Sequence, residues 1–247
     1  MADVILPLGV GSKHSNEELR MLLRSVDKNL KGVERVFLVT TCCPDWVNRE
    51  NVIVVPIADK YDNNKDANLH LKTLSAIERY NIGDFVWLSD DNAILREIGV
   101  NEIPILHNHR DNQQFLNNAG SKWRARVANT LRFAFARGAN IQHNYECHCP
   151  QLFNGQMLLE GMKGVDYASL PGLTIFTTWR VVTNTWQGSK DQRVFKHTFE
   201  LPMDESVTQI TDGELMAKPF MGYNDQCVDR VLARLKQLFP NKSKWEK

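Results

Sequence analysis

Two adjacent carboxylates and an amide, Asp90-Asp91-Asn92, directly follow an apolar run at residues 84–89. Adjacent carboxylates repel one another unless positive charge lies beside them. A hard divalent cation commonly supplies this charge, because it binds through one or two carboxylates and completes its shell with phosphate oxygens and water. The pattern predicts a metal site at Asp90 and Asp91, with a solvated acidic turn as the alternative.

Candidate phosphate-binding groups precede this motif in the chain. Arg20 and Arg24 are four residues apart, so on a helix they share one face, and Glu18 lies beside them. Guanidinium groups bind phosphate well, and the expected helix start at Ser15 is itself a weak anion site. The alternative is a solvated helix face with internal Glu–Arg pairs.

Two lysines and two glycines extend the candidate site. Lys65 and Lys72 flank the start of a second expected helix, where they would contact a diphosphate or remain surface lysines. Gly9 and Gly11 form a loop after the first apolar run. This loop is not a dinucleotide fingerprint, because that motif requires a third glycine and a downstream acidic residue.

A histidine stands between two cysteines in Cys147-His148-Cys149. The trio suggests zinc, but a second ligand pair at a standard spacing is missing. His148 is therefore a candidate metal ligand, phosphate donor or proton carrier, with a purely structural histidine as the alternative.

Alternating strand and helix patterns in the first half would position these groups. A capping box at Ser15-Asn16-Glu17-Glu18 predicts the start of the first helix, which Gly32 stops. The other expected elements are strands at 3–8, 33–40, 51–56 and 84–89 and a helix at 66–80. This order predicts an α/β fold with a mostly parallel sheet flanked by helices, and ligands bind beyond the carboxyl ends of such strands.

The second half is less regular. Residues 165–186 mix strand-like and turn signals, and 225–239 predict a final amphipathic helix. A helix at 121–137 carries a basic face, which indicates either nucleic-acid binding or simple solvation. The basic residues are Lys122, Arg124, Arg126, Arg132 and Arg137. We expect a single domain in which about 1–118 binds the main ligand and about 119–247 forms the second side of the site.

Composition sets limits on the class of protein. The 247 residues carry a net charge of +1, so any basic partner-binding patch must be local. No apolar run is long enough for a membrane span, and the first residues lack the basic and apolar regions of a signal peptide, so we expect neither feature. Five cysteines without a framework pattern predict a reducing, cytoplasmic location.

The ordered set of motifs resembles the Stealth family of sugar-phosphate transferases. Residues 16–26, 36–40 and 44–48 resemble its second conserved block, and Leu88-Ser89-Asp90-Asp91-Asn92 resembles its Asn-Asp-Asp strand end. Residues 145–150 resemble the third block with its histidine. Tyr223-Asn224-Asp225 and the Pro-x-x-Ser-x-Trp-Glu ending at 240–246 resemble the fourth block and the terminal motif.

This resemblance implies a GT-A-type, Rossmann-like nucleotide-sugar fold, a UDP-sugar donor and Mn²⁺ or Mg²⁺. It also implies site roles for residues that match the blocks. These residues are Glu18, Arg20, Arg24, Asp90, Asp91, His148, Asn224 and Asp225.

The chain departs from the family pattern in two places. The first strand retains only the beginning of the family's first block. The catalytic glutamate of the phosphotransferases has no counterpart in the second helix, which offers Asn68, His70 and Lys72. The short form is similar to compact glycosyltransferases of bacterial and phage genomes.

We therefore expect a metal-dependent glycosyltransferase that moves a sugar from a UDP-sugar to an acceptor hydroxyl. The acceptor would be a glycan or a hydroxymethylated base in DNA. If the reaction inverts the sugar, a carboxylate must act as base, and Asp191 and Asp225 are the candidates. The alternatives are a Stealth-type sugar-1-phosphate transferase and a non-catalytic nucleotide- or nucleic-acid-binding module. The sequence does not indicate an oligomeric state.

Overall fold

A computed structural model describes residues 1–9, 12, 14–199, 206–224 and 228–247. Its centre is a five-stranded sheet in the order β4-β3-β1-β5-β9, in which the first four strands are parallel and β9 is antiparallel to β5. These strands are β1 (Ala2–Pro7), β3 (Val33–Val39), β4 (Ile53–Val55), β5 (Asp84–Trp87) and β9 (Gln151–Asn154). The predicted α/β fold with a mostly parallel sheet is confirmed.

Helices cover the sheet and build the second half. They are α1 (Glu17–Asn29), α2 (Lys65–Tyr80), α3 (Asn112–Asn118), α4 (Ser121–Ala136), α5 (Gly155–Met162), α6 (Ile175–Val182), α7 (Gln192–Phe195), α8 (Ser206–Gln209), α9 (Asp212–Met216) and α10 (Val228–Leu238), with a 3₁₀ turn at Val100–Glu102. Among the described helices, none combines the length and apolar character that a membrane crossing requires.

Three small sheets surround the central one. A three-stranded sheet, in the order β11-β12-β6, holds the chain that follows Asp91 against the C-terminal half. Two-stranded sheets pair β10 with β8 and β2 with β7. Their strands are β2 (Leu30–Lys31), β6 (Asn92–Ile94), β7 (Ile98–Gly99), β8 (Leu106–His107), β10 (Lys190–Asp191), β11 (Lys196–Phe199) and β12 (Phe220–Tyr223).

Strict alternation along the central strands creates two cores, one on each face of the sheet. In β1, Val4 and Leu6 belong to one buried cluster with Leu22 of α1, whereas Ile5 belongs to another with Trp179 of α6. Successive side chains of a strand point to opposite faces, so a sheet covered on both sides needs apolar residues at every position. This requirement explains why β1 reads as a continuous apolar run.

Two local predictions were wrong. The helix α1 has no capping box, because Asn16 is its N-cap in a left-handed conformation and makes no side-chain cap hydrogen bond. Ser12 accepts from the backbone N–H groups of His14 and Asn16 instead, at 3.2 and 3.0 Å. Residues 165–186 contain the buried helix α6 rather than strand, since packing of Phe176 and Trp179 against the sheet overrides the β-branched composition.

Candidate functional site

A cavity of about 950 Å³ opens at the carboxyl ends of β1 and β5. Gly9 contributes to it after β1, Asp90 and Asp91 after β5, and Lys65 from the start of α2. Parallel strands end at the same edge of a sheet, which is why distant segments of the sequence meet here. The predicted crevice therefore exists, and eight of the sequence-predicted site residues line it. They are Gly9, Glu18, Lys65, Lys72, Asp90, Asp91, His148 and Asn224.

The Asp90-Asp91 pair is held in a fixed conformation. Asp91 accepts hydrogen bonds from the Ser89 hydroxyl and from Nδ2 of Asn92. The backbone N–H of Tyr223 donates to the Asp91 carbonyl at 3.1 Å, and the Tyr223 hydroxyl donates to the Asp90 carbonyl at 3.3 Å. The strand β12 thus fixes the loop that carries both carboxylates.

The two carboxylates have different protonation equilibria. Burial raises the pKa of Asp90 to about 6, and repulsion from Asp91 adds to this effect. Burial also acts against ionisation of Asp91, but hydrogen bonds from His148 and Ser89 and the charge of His148 outweigh it and lower the pKa. Asp91 is therefore the more strongly acidic member of the pair.

His148 lies directly beside Asp91. Its Nδ1 is 3.4 Å from Asp91 Oδ2, and its pKa is raised, chiefly by this interaction with the Asp91 carboxylate. The imidazole itself is largely exposed, with 62% of the side-chain surface accessible. The residue has a left-handed backbone, with φ of 43°, and its carbonyl accepts from Asn92 Nδ2 at 3.0 Å. This conformation is uncommon for a residue other than glycine. It therefore depends on the surrounding contacts, such as the hydrogen bond from Asn92, to hold the loop in place.

The two predicted lysines have different surroundings. Lys72 is buried, donates to the Leu8 carbonyl at 2.9 Å and lies 2.6 Å from Asp59. Lys65 is exposed at the first residue of α2, and its charge lowers the pKa of both Asp90 and Asp91. Within the described ranges it forms no ion pair or hydrogen bond, so its charge is available to a ligand.

Glu18, Gly9 and Asn224 also line the cavity. Glu18 accepts from the Ser12 hydroxyl at 3.1 Å, which ties Ser12 to α1. A Cβ built at Gly9 would meet no atom within 4 Å, so this position leaves open space. Gly11 and Asp225 lie outside the described residues.

Arg20 and Arg24 are not brought to the cavity. Arg24 forms two hydrogen bonds to the Glu246 carboxylate, at 2.8 and 2.9 Å, and Arg20 lies 3.5 Å from the same carboxylate. The pKa of Arg24 is raised, mainly by the Glu246 hydrogen bond. The expectation that these arginines bind phosphate is not supported by this geometry, because Arg24 is paired with Glu246, and Arg20 is paired with Glu17 of the same helix, as in the alternative of internal Glu–Arg pairs.

Asp191 also lies away from the cavity lining. It caps α7 by accepting from the Arg193 backbone N–H at 2.8 Å and pairs with the Arg193 guanidinium at 2.6 Å. Hydrogen bonds from Arg193 lower its pKa. A carboxylate occupied in this way is not placed to act as base at this cavity.

Among the lining residues that were not predicted as site residues, four have side chains that matter for the chemistry of the cavity: Asp66, Trp123, Arg126 and Glu146. Asp66 and Arg126 form an ion pair at 2.8 Å, and Trp123 lies one helical turn before Arg126. Glu146 is buried and accepts from the Thr177 backbone N–H at 2.9 Å, and burial followed by repulsion from Asp66 raises its pKa. Two of the four had a sequence signal, because Glu146 stands two residues before His148 and Arg126 belongs to the basic face predicted at 121–137. Asp66 had none, since acids are common in the first turn of a helix.

The lining is rich in acids. Among the described residues, seven carboxylates contribute to it, against three lysine or arginine side chains. The acids are Glu18, Asp59, Asp62, Asp66, Asp90, Asp91 and Glu146; the bases are Lys65, Lys72 and Arg126. Two of these bases are already paired, so an anionic ligand needs additional positive charge in order to bind.

The cavity does not contain a complete metal-binding cage. Within the described ranges no group of three or more His, Cys, Asp or Glu side chains is arranged to hold a metal ion. Cys147 and Cys149 are free and buried in the core. Asp90 and Asp91 fit a hard cation whose remaining ligands come from phosphate and water, since Mg²⁺ is usually bound by one or two carboxylates.

No protein-family model matches this sequence, and the curated proteins likewise give no match.

Proposed function

We propose that this chain is a divalent-cation-dependent glycosyltransferase that uses a nucleotide-sugar donor, with UDP-sugars as the expected class. The observation that carries the proposal is the placement of Asp90, Asp91 and the unpaired Lys65 at one cavity, beyond the carboxyl ends of parallel strands. A diphosphate needs positive charge, and this acid-rich cavity supplies little of its own.

Asp91, with Asp90 beside it, would hold Mn²⁺ or Mg²⁺. When bound, such a cation stabilises negative charge on the diphosphate leaving group. His148 positions Asp91 through their hydrogen bond at 3.4 Å. Lys65 adds a second positive charge at the same end of the cavity, where electrostatic stabilisation of a departing diphosphate is most effective.

Lys72 has a supporting role in this proposal. Its contacts with the Leu8 carbonyl and Asp59 join the end of β1 to α2 across the cavity wall. The amine therefore fixes the shape of the wall that faces the donor, whereas Lys65 contacts the donor itself.

One observation also favours sugar-1-phosphate transfer as a second candidate. The helix α2 places a carboxylate in the cavity after all, because Asp66 lies in its first turn. This position is earlier in the helix than the segment that carries the Stealth catalytic glutamate. Its ion pair with Arg126 reduces its value as a base.

A donor panel distinguishes the two reactions. The protein is incubated with UDP-sugars and Mn²⁺ or Mg²⁺, and released UDP and UMP are measured separately. UDP supports glycosyl transfer, or donor hydrolysis where acceptor is absent, whereas UMP shows that sugar-1-phosphate has moved. Neither product, together with no donor binding by thermal shift, supports the non-catalytic binding module instead.

A further inference from the structure

The helix α4 contributes two residues to the cavity that the proposed donor chemistry does not use. Trp123 and Arg126 both line it, and the Arg126 guanidinium carbon lies 5.8 Å from the centre of the Trp123 ring. Phe115 packs edge-on against the same ring, with centroids 6.4 Å apart. Trp123 is half-buried, so part of a well-supported aromatic ring faces the cavity.

This wall is rigidly attached to the rest of the protein. Arg126 donates to Asp66 at 2.8 Å and to the Pro171 carbonyl at 3.2 Å. One turn later, the Thr130 hydroxyl accepts from the Thr174 backbone N–H at 2.9 Å. Because these contacts fix α4 against two other segments, Trp123 is positioned before any ligand arrives.

The charges near Trp123 disfavour a polyanion. Arg126 is neutralised by Asp66, and the described part of the lining has seven carboxylates against three basic side chains. A phosphodiester chain would meet repulsion at this wall. A neutral sugar would meet no such repulsion, and its hydroxyl groups can donate to exposed lining carboxylates such as Asp62, which are acceptors when ionised.

We propose that Trp123, with the Asp66–Arg126 ion pair, forms an acceptor subsite for a neutral carbohydrate. The apolar C–H face of a pyranose would pack on the indole ring, while its hydroxyl groups face the carboxylates. The role as acceptor rests on the proposed transferase function, whereas the binding of a neutral sugar at Trp123 does not.

The basic residues of α4 give little support to a nucleic-acid acceptor at this cavity. Of the five basic positions predicted from sequence, Arg126 alone is in the lining. Arg124 donates to the carbonyls of Asn117 and Ala119, at 3.4 and 2.9 Å, where α3 ends. Arg137 lies over the Phe133 ring, 4.7 Å from its centre. These residues are engaged in local contacts.

Direct binding tests the subsite without assuming any reaction. Neutral aryl pyranosides, their uronic-acid counterparts and a duplex containing 5-hydroxymethylcytosine are titrated into the full chain by calorimetry. We expect at least one neutral pyranoside to bind, and W123A to weaken it about tenfold, the size expected when a packed aromatic ring is removed. W123F should recover most of the affinity.

Phe135 provides the matched control, because it is on the same helix, is 78% exposed and lies outside the cavity lining. F135A should bind the pyranoside as the wild type does. Far-UV circular dichroism and the thermal midpoint establish that W123A remains folded, and its Kd for UDP with Mn²⁺ should stay within twofold of wild type.

Three results overturn the subsite: no pyranoside binds, W123A binds as tightly as wild type, or the DNA binds in preference to every sugar. The transferase function is judged separately. Pyranoside binding that depends on Trp123 without UDP release from any donor would leave the subsite and reject the proposed function. UDP release with the same acceptor KM in W123A as in wild type would support the proposed function and reject the subsite.

Discussion

Replacement of Arg24 by alanine tests whether the Arg24–Glu246 pair is structural rather than part of a phosphate site. The Glu246 side chain is 3% exposed and that of Arg24 is 14% exposed, so the pair is largely shielded from water. Removal of one partner from a buried pair leaves the other charge uncompensated, which costs about 3–5 kcal/mol when shielding is complete.

The expected loss lies below this range because the pair is not fully shielded and Glu246 keeps other donors. The Ser243 backbone N–H and hydroxyl lie 2.9 and 3.2 Å from Oε1, and Arg20 remains nearby. We therefore expect R24A to lower the free energy of unfolding by about 2–3 kcal/mol. The Kd for UDP should not change.

Urea denaturation of wild type, R24A, E246Q and the double variant measures both the loss and its origin. The cycle should show a coupling energy of about 2 kcal/mol, since the residues contact each other directly. R193A is the control, because Arg193 is an exposed partner in a surface pair, and it should have no measurable effect on stability. Unchanged stability of R24A with weakened UDP binding would refute the structural assignment and restore the phosphate-binding one.

Three further predictions concern other parts of the molecule. K65A should raise the Kd for UDP with Mn²⁺ about tenfold in calorimetry, because one charge–phosphate contact is lost, whereas the control K163A should leave it unchanged. Equal UDP affinity of K65A and wild type would exclude Lys65 from the donor site. Burial lowers the pKa of His70 from 6.5 to about 3, so the unfolded state binds the extra proton between these values and stability falls as pH falls. Protonation of His70 in the unfolded state should lower the free energy of unfolding by about 2 kcal/mol between pH 7.5 and pH 5. Urea titrations of wild type and H70Q measure this effect, and the same pH dependence of stability in both proteins would contradict the prediction. G155A should lower the free energy of unfolding by about 2 kcal/mol, because the added Cβ would lie 2.3 Å from a backbone carbonyl oxygen. G83A should be nearly neutral, because a Cβ at that position meets nothing within 4 Å. Equal losses in the two variants, measured by urea denaturation, would refute the steric argument.

The central sheet was predictable because its signals are local. The apolar runs of β1, β3 and β5 and the amphipathic patterns of α1 and α2 appear directly in the sequence. Topology then places the ends of β1 and β5 at one edge. Asp90 and Asp91 were therefore predictable as cavity residues.

Roles that depend on distant partners were not predictable. The spacing of Arg20 and Arg24 correctly placed them on one helix face, and the pairing of Arg20 with Glu17 is local, but the Glu246 partner of Arg24 is 222 residues further along the chain. The same reason explains why Asp66 was missed, since its partner Arg126 lies 60 residues later. Whether a charged residue binds a ligand or has a structural role depends on such pairings, and a local sequence pattern does not reveal a partner that is distant in the chain.

The helix α6 shows a different limit. Its sequence contains several β-branched residues, which favour strand, yet Phe176 and Trp179 pack with Trp87 and Phe153 of the sheet. Tertiary packing of these rings overrides intrinsic propensity. The N-terminus of α6 also holds Glu146, so this unforeseen helix shapes one wall of the cavity.

The cation dependence of UDP binding tests the central claim most directly. Calorimetric titrations compare wild type and D91N, each with Mn²⁺ and with EDTA. We predict that Mn²⁺ strengthens UDP binding to wild type about tenfold or more, because it offsets the surplus of carboxylates, and that D91N loses this gain while remaining folded. Equal affinity with and without Mn²⁺, or an undiminished effect of Mn²⁺ in D91N, would contradict a diphosphate site built on Asp91.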